Sequence, residues 1–221
     1  MTSLTTAPIA PLLERLFGLA QDTTAARIAA WESLPAAEMD RLMRSKTEYI
    51  EFYSRLKELP LAVTREIGTL LYMLARGNGA RNIVEFGTSF GVSTLHLAAA
   101  LRDTGGGRLI TCEFEPSKVA RARAHLTEGG VIDLVDIREG DALRTLAADL
   151  PETIDLLLLD GAKALYSDIL ALLQPRLRIG SFIIADNADY APDYLAYVRN
   201  PANGYLSVPF ADEVELSQRI A

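Results

Sequence analysis

Glu113, Asp160, Asp186 and Asn187 each stand at the end of an apolar run. The runs cover 108–113, 154–160 and 180–186, and each reads as a strand buried on both faces. A further run, Ile83-Val84-Glu85-Phe86, leads into Gly87-Thr88-Ser89-Phe90-Gly91. In a parallel sheet the C-terminal strand ends share one edge, so these residues meet in one crevice. Gly87 leaves its strand where the backbone must turn sharply and admit a ligand closely. Ser93 or Thr94 would then cap the following helix. A glycine turn between strand and helix suits a nucleotide-like ligand, and equally suits a tight turn with none. Glu113 lies 26 residues after Gly87, somewhat beyond the roughly 20 residues usual for an acid that binds a ribose diol. The Gly105-Gly106-Gly107 loop accounts for part of that excess. Glu113 can also be read as a solvated acid before the helix begun by Glu115-Pro116.

Asp160, Asp186 and Asn187 offer two carboxylates and an amide carbonyl. Such hard oxygen donors suit Mg²⁺ or Ca²⁺, and strand-end acids also serve simply as loop and helix caps. Lys163 follows Asp160 by three residues. Beside a divalent ion a lysine is pressed to lose its proton and can act as a base; without one it is a solvated loop residue. His96 and His125 fall inside expected helices and read as structural or surface residues. No Ser-His-Asp arrangement and no zinc-like Cys/His cluster is present in the sequence.

The elements that must position these groups follow from periodicity. Residues 1–60 read as a helical arm. Ile9, Leu12, Leu13, Leu16 and Leu19 form one stripe, and Ile28, Ala29 and Trp31 sit in a second segment. Met39, Leu42, Met43, Ile50, Tyr53 and Leu56 share a third face, ended by Pro60. Residues 61–221 alternate strand and helix. Strands are expected at 82–86, 108–113, 135–139, 154–160 and 180–186. Helices are expected at 64–76, 93–102, 116–128, 142–149 and 165–174. The pattern is α/β: a mostly parallel sheet with helices on both faces. Tyr205-Leu206-Ser207-Val208 and Val214-Glu215-Leu216-Ser217 add an antiparallel pair at the edge.

Composition narrows the function. With 22 basic and 29 acidic residues the net charge is −7, and no basic block stands out, so a nucleic-acid partner is excluded. One cysteine in the chain cannot form an internal disulfide, and a reducing, cytoplasmic setting fits. Cys112 reads as a small buried hydrophobe. No run is long and apolar enough for a membrane span, and the first ten residues lack signal-peptide character. The arm carries more apolar stripe than one small core covers, so a homodimer that uses it is expected.

Together these segments resemble the class I S-adenosylmethionine-dependent methyltransferases, and more closely the cation-dependent catechol and caffeoyl-CoA O-methyltransferases. The resemblance covers about residues 61–219. It implies a Rossmann-like methyltransferase fold, a Rossmann-type sheet of seven strands. Glu85-Phe86-Gly87-Thr88-Ser89-Phe90-Gly91-Val92-Ser93 matches the cofactor loop. Cys112-Glu113-Phe114-Glu115-Pro116 matches the ribose-binding strand end, and Glu139-Gly140-Asp141-Ala142 the adenine segment. Asp160-Gly161-Ala162-Lys163 matches a metal ligand with the catalytic lysine, and Ala185-Asp186-Asn187 the rest of the metal site. The implied cofactor residues are Val63, Glu85, Gly87, Thr88, Ser89, Gly91, Ser93, Glu113, Phe114, Asp141, Ala142 and Asp160. The implied metal ligands are Asp160, Asp186 and Asn187, with Mg²⁺, Ca²⁺ or Mn²⁺ as the divalent cation. Lys163 is the implied base, with Asp160 beside it. The implied reaction moves the methyl of S-adenosylmethionine to a hydroxyl of a small phenolic or catechol-like acceptor.

Gly161-Ala162 departs from the family, which often has bulkier or charged residues there. The segment 188–192 is shorter than in animal catechol enzymes. The acid those enzymes carry near the last strands aligns near Leu206, taking Asp212-Glu213-Val214-Glu215 as the reference. A metal-independent methyltransferase, a cofactor-binding module without turnover, and a nicotinamide oxidoreductase are the competing readings. The last expects Gly-x-Gly-x-x-Gly, where this chain has Gly87-x-x-x-Gly91.

Overall fold

The computed structural model describes residues 1–211 and 213–221, the side chains of 27, 31 and 32 excepted. Position 212 and the side chain at position 31, both used above, therefore lie outside the described residues. The arm forms α1 (Ile9–Asp22), α2 (Thr24–Glu32), α3 (Ala36–Met43) and α4 (Tyr49–Ser54). There follow α5 (Arg65–Gly77), β1 (Asn82–Phe86), α6 (Val92–Asp103), β2 (Arg108–Glu113), α7 (Pro116–Glu128) and β3 (Val135–Glu139). Then come α8 (Ala142–Thr145), β4 (Ile154–Leu159), α9 (Tyr166–Leu173), β5 (Leu177–Ala185), α10 (Pro192–Val198), β6 (Tyr205–Phe210) and β7 (Val214–Arg219).

The strands form one seven-stranded sheet in the order β3-β2-β1-β4-β5-β7-β6. The first five run parallel, and β7 lies antiparallel between β5 and β6. Apolar side chains alternate to two cores. One face buries Ile83, Leu109, Leu156 and Ile184 beneath α1, α5 and α6. The other buries Val84, Ile110, Leu157 and Ile183 beneath α9 and α10. Both faces are thus covered, as the apolar strands require.

Several expected boundaries shift for local reasons. α5 starts where expected because the Thr64 hydroxyl accepts from the Ile67 amide at 3.3 Å. α6 is not capped by Ser93 or Thr94: Gly91, left-handed at φ 85°, precedes it. The two hydroxyls instead donate to the buried Glu85 carboxylate at 2.6 Å each. α8 stops at Thr145 because the Arg138 guanidinium takes the carbonyls of Thr145, Ala148 and Asp149 at 2.6–2.9 Å. β5 begins earlier, at Leu177 opposite Ile154, and its register against β4 shifts between Ile154 and Leu156. There Asp155 accepts the Arg81 and Asn82 amides at 2.8 Å each. α10 is an addition to the expected elements: Pro192 opens it and Tyr194 is its buried anchor.

The arm divides. Ile9, Leu12, Leu13 and Leu16 of α1 belong to the chain's own main core, so that stripe is already covered. Met39, Leu42, Met43, Phe52 and Leu56 form a satellite core over the C-terminal strand ends, with Leu61 and Tyr190 against it.

Each functional loop is held one hydrogen bond beyond its strand. The Gly87 and Thr88 amides bond Cys112 O at 3.2 Å, and Asp160 N bonds Phe86 O at 2.8 Å. Asp186 N bonds Leu159 O at 2.9 Å, and Gly140 N bonds Glu113 O at 2.9 Å. Gly87 has φ +105°, and a Cβ there would meet the Asp160 carbonyl at 2.6 Å. Strain of this kind costs about 1–3 kcal/mol. Gly87→Ala is therefore expected to destabilise the fold by at least that amount in a denaturant titration. An unchanged midpoint would mean that the loop and the β4 end are not in contact.

Candidate active site

Two adjoining cavities open at the C-terminal edge of the sheet. The inner is narrow, about 60 Å³, and the outer is about 510 Å³. Asp160, Tyr53 and Leu61 line both.

The inner cavity gathers Gly87, Ser89, Glu113, Phe114, Asp141, Ala142 and Asp160, all expected cofactor positions. Ser89 has φ 47°, and its amide donates to Glu113 Oε2 at 2.9 Å. Glu115 N donates to Oε1 at 3.0 Å. Each carboxylate oxygen of Glu113 thus has one fixed backbone donor. Burial raises the Glu113 pKa, opposed by the Glu115 amide and by Lys118. Asp141 caps α8, its Oδ1 accepting from the Leu143 amide at 3.0 Å.

The remaining expected cofactor residues, Val63, Glu85, Thr88, Gly91 and Ser93, stand behind this wall rather than on it. Val63 is packed in the main core. The Thr88 hydroxyl pairs with Thr111 Oγ1 at 2.6 Å, tying the loop to β2. Gly91 faces Ala122 of α7. Glu85 is wholly buried, and burial pushes its pKa up to about 7 against the hydroxyls of Ser93, Thr111 and Thr94. Cys112 lines the cavity as a free thiol, raised by burial and so unreactive. His96 and His125 lie off both cavities, with their Nδ1 atoms at 2.8 and 2.9 Å from Val92 O and Phe90 O.

The outer cavity holds Asp160, Lys163, Asp186 and Asn187 together, with Tyr190 and Glu213 opposite Met43, Leu61 and Ala62. Lys163 Nζ sits 3.0 Å from Asp160 Oδ1 and 3.7 Å from Asp186 Oδ2. Burial works against its charge, but Tyr166, Asp160 and Asp186 outweigh it, so its pKa is raised and it is an ammonium here. Asp186 is pushed up to about 7 by burial and by the Asp160 charge, against Lys163. One ammonium therefore does not fully satisfy this carboxylate pair. Among the described residues no cluster of three or more His, Cys, Asp or Glu could hold a metal. The candidate set here is two aspartates and an amide. Asn187 is left-handed at φ 48°, and its Nδ2 donates to Glu213. Its Oδ1 is thereby left for a cation. By donor chemistry the set fits a hard divalent ion.

Several cavity residues were not expected. Tyr49 and Tyr53 of α4 reach in from the arm, and their i,i+4 spacing is the signal that could have found them. Tyr49 packs edge-on against Phe114, with centroids 6.3 Å apart. Glu213, at the β6–β7 turn, places an acid in the outer cavity where the sequence alignment expected none. Lys118 of α7 lines the inner cavity. The Gly161 departure is also explained: a Cβ there would meet the Phe86 ring at 2.5 Å.

A methyltransferase-domain family model matches residues 84–188. Catechol O-methyltransferase B of Danio rerio is 33% identical over 76% of this chain and 66% of its own length. Catechol O-methyltransferase of Niastella koreensis is 34% identical over 58% of each chain. The chain thus spans less than two thirds of these relatives' length. The crystal structure of the O-methyltransferase TomG of Streptomyces achromogenes, involved in tomaymycin synthesis and in complex with S-adenosylmethionine, superposes with TM-score 0.65. It is 25% identical, covering 84% of this chain and 95% of that one.

Tyr166 holds the two acid-bearing strand ends at their spacing. Its hydroxyl lies 2.8 Å from Leu159 O and 2.7 Å from Asp186 O. Tyr166→Phe removes the one hydroxyl hydrogen these carbonyls share, Leu159 O keeping only the Asp186 amide, and is expected to cost about 1–2 kcal/mol in chemical denaturation. A variant as stable as the parent would remove Tyr166 from this role.

Proposed function

Because this chain belongs to the class I S-adenosylmethionine-dependent O-methyltransferase family, we propose that it methylates a hydroxyl of a small phenolic or catechol-like acceptor. S-adenosylmethionine is the donor and a divalent cation, Mg²⁺ first, assists. The observation that carries this reading is the junction at Asp160. One cavity presents a ribose-type acid and a glycine turn, the adjoining one a lysine and hard oxygen donors, and Asp160 lines both. A donor seated in the first has its reactive end at the second.

When bound, the sulfonium cofactor supplies an electrophilic methyl and the divalent ion a Lewis acid for the acceptor oxygen. The chain's own residues do the rest. Gly87 and Ser89 give the backbone close approach, and Glu113 accepts the ribose hydroxyls. Phe114, Asp141 and Ala142 wall the adenine end. Asp160, Asp186 and Asn187 would hold the ion through side-chain oxygens. Lys163 takes the acceptor's proton at Nζ. Its ammonium is kept by Asp160 and Asp186, and once their charges are engaged elsewhere burial favours the neutral amine. Glu213 accepts a second acceptor hydroxyl, and Met43, Tyr53, Leu61 and Ala62 exclude water. The apolar walls and the terminal acid support a small aromatic polyol over a charged acceptor.

Assembly as a homodimer belongs to the same proposal. The support is what the chain leaves uncovered on the arm: Leu19, Ile28 and Ile50 are 40–48% exposed. No helix among the described residues is long and apolar enough to cross a membrane. A reducing, cytoplasmic setting is proposed on the single buried free thiol, Cys112.

Calorimetry is expected to show S-adenosylmethionine and S-adenosylhomocysteine bound and NAD not. Glu113→Ala should weaken the sulfur ligands by about 1–3 kcal/mol, the scale of a lost charged hydrogen bond. Tight NAD binding with no heat from either sulfur ligand would reverse the assignment. Lys163→Ala should lower turnover by about 10²–10⁴ with a small effect on cofactor affinity, as a positioned base requires. Asp186→Ala, which lies off the inner cavity, should lose transfer and keep S-adenosylhomocysteine binding. Parent-like turnover by both variants would assign the chain to metal-independent chemistry.

A further inference from the structure

Lys118 is the one lysine on the wall of the inner cavity, among the described residues. It is 4% exposed. Its backbone amide donates to Glu115 O at 3.0 Å, while its ammonium makes no hydrogen bond or ion pair among the described residues. It stands in the first turn of α7, two residues after Pro116. A cation there is opposed twice, by loss of water and by the positive end of the helix dipole. Burial pushes its pKa down, and Glu113, Glu115 and Asp160 push back. Arg121, one turn on, is turned away to Glu58 and the Phe90 ring. The protein thus surrounds this ammonium with negative potential and gives it no acceptor. A donor on a cavity wall with no protein acceptor is satisfied by solvent or by what the cavity binds.

The neighbouring acid identifies the acceptor. Each Glu113 oxygen already takes one backbone amide, from Ser89 and from Glu115. Its remaining lone pairs can take hydrogens from a diol. A hydroxyl that donates to Glu113 still has an oxygen free to accept, and Lys118 is the adjacent donor. We propose that Lys118 is a cofactor-binding residue whose ammonium donates to the ribose hydroxyl oxygens while Glu113 accepts their hydrogens. This rests on the cofactor reading above. Lys118 and Glu113 then read the diol as a pair, one as donor and one as acceptor. A deoxy cofactor loses both at once. In the ligand-free protein Lys118 is a cost, kept for binding.

The test is calorimetry of the parent and of Lys118→Met with S-adenosylhomocysteine and its 2′- and 3′-deoxy analogues, with thermal unfolding of the ligand-free proteins. Lys118→Met is expected to weaken S-adenosylhomocysteine by about tenfold to hundredfold, as a charge-assisted hydrogen bond implies. It should weaken at least one deoxy analogue by less than about threefold, because the group it served is already gone. The ligand-free variant should unfold no earlier than the parent, and Lys118→Arg should retain part of the affinity. An equal loss on all three ligands assigns Lys118 to general packing or to the cofactor's carboxylate and overturns the proposal. So does unchanged S-adenosylhomocysteine affinity with a lowered unfolding temperature. A parent that binds S-adenosylhomocysteine in neither buffer nor excess would instead overturn the cofactor reading, and this pairing with it.

Discussion

The structure depends on one close approach: the Gly87 backbone against the Asp160 carbonyl. A Cβ at Gly87 would come within 2.6 Å of it, so the strand ends of β1 and β4 lie side by side with no side chain between. The ladder continues past both strands, with Asp160 N on Phe86 O and the Gly87 amide on Cys112 O. The glycine turn that admits a ligand and the aspartate that begins the acid cluster are thus parts of one backbone unit. Phe86 enforces it from below, its ring filling the space a side chain at Gly161 would need. The two cavities, proposed as donor and acceptor sites, cannot drift apart while this contact holds.

Charge supplies the second organising constraint. The edge collects Glu113, Asp160, Asp186 and Glu213 on a chain whose net charge is already −7. Two buried lysines answer them. Lys163 sits between Asp160 and Asp186 and bridges that pair without fully satisfying it. Lys118 closes nothing within the protein. In each case a polar group is left incompletely satisfied where a ligand is expected, the pattern that separates a binding site from a structural ion pair. By contrast Asp155 takes two backbone amides and the Arg178 guanidinium, and Arg199 pairs with the buried Glu215. Both lie off the cavities and complete themselves.

The sheet was readable because its strands are nearly continuous apolar runs, and several candidate site residues sit at a strand's end. That rule places Gly87, Glu113, Asp160, Asp186 and Asn187 without reference to any contact. What was not readable came from long-range geometry. Glu85 looks like a site residue, yet period-two alternation turns it toward Ser93 and Thr94 of α6, behind the wall. Lys118 and Glu213 reach the cavities only because α7 and the β6–β7 turn fold over the edge, and no local pattern announces that. The short α8 depends on Arg138 capturing carbonyls from the following loop. The arm's stripe reads as unpartnered in the sequence, while α1 in fact completes the main core. Tyr49 and Tyr53 carry a weak signal, two aromatics one helical turn apart, which gains meaning only once α4 is seen over both cavities.

The central claim is that the cavities meeting at Asp160 form a single methyl-transfer centre that works through a divalent ion. The measurement that bears on it most directly is transfer of an isotopically labelled methyl from S-adenosylmethionine to a panel of mono- and dihydroxylated phenols, with Mg²⁺ and with excess chelator. The account predicts label on a phenolic oxygen in Mg²⁺, its loss in chelator, and its return when Mg²⁺ is restored. Transfer undiminished by chelator, or no label on any phenol under conditions where the cofactor is bound, would contradict it.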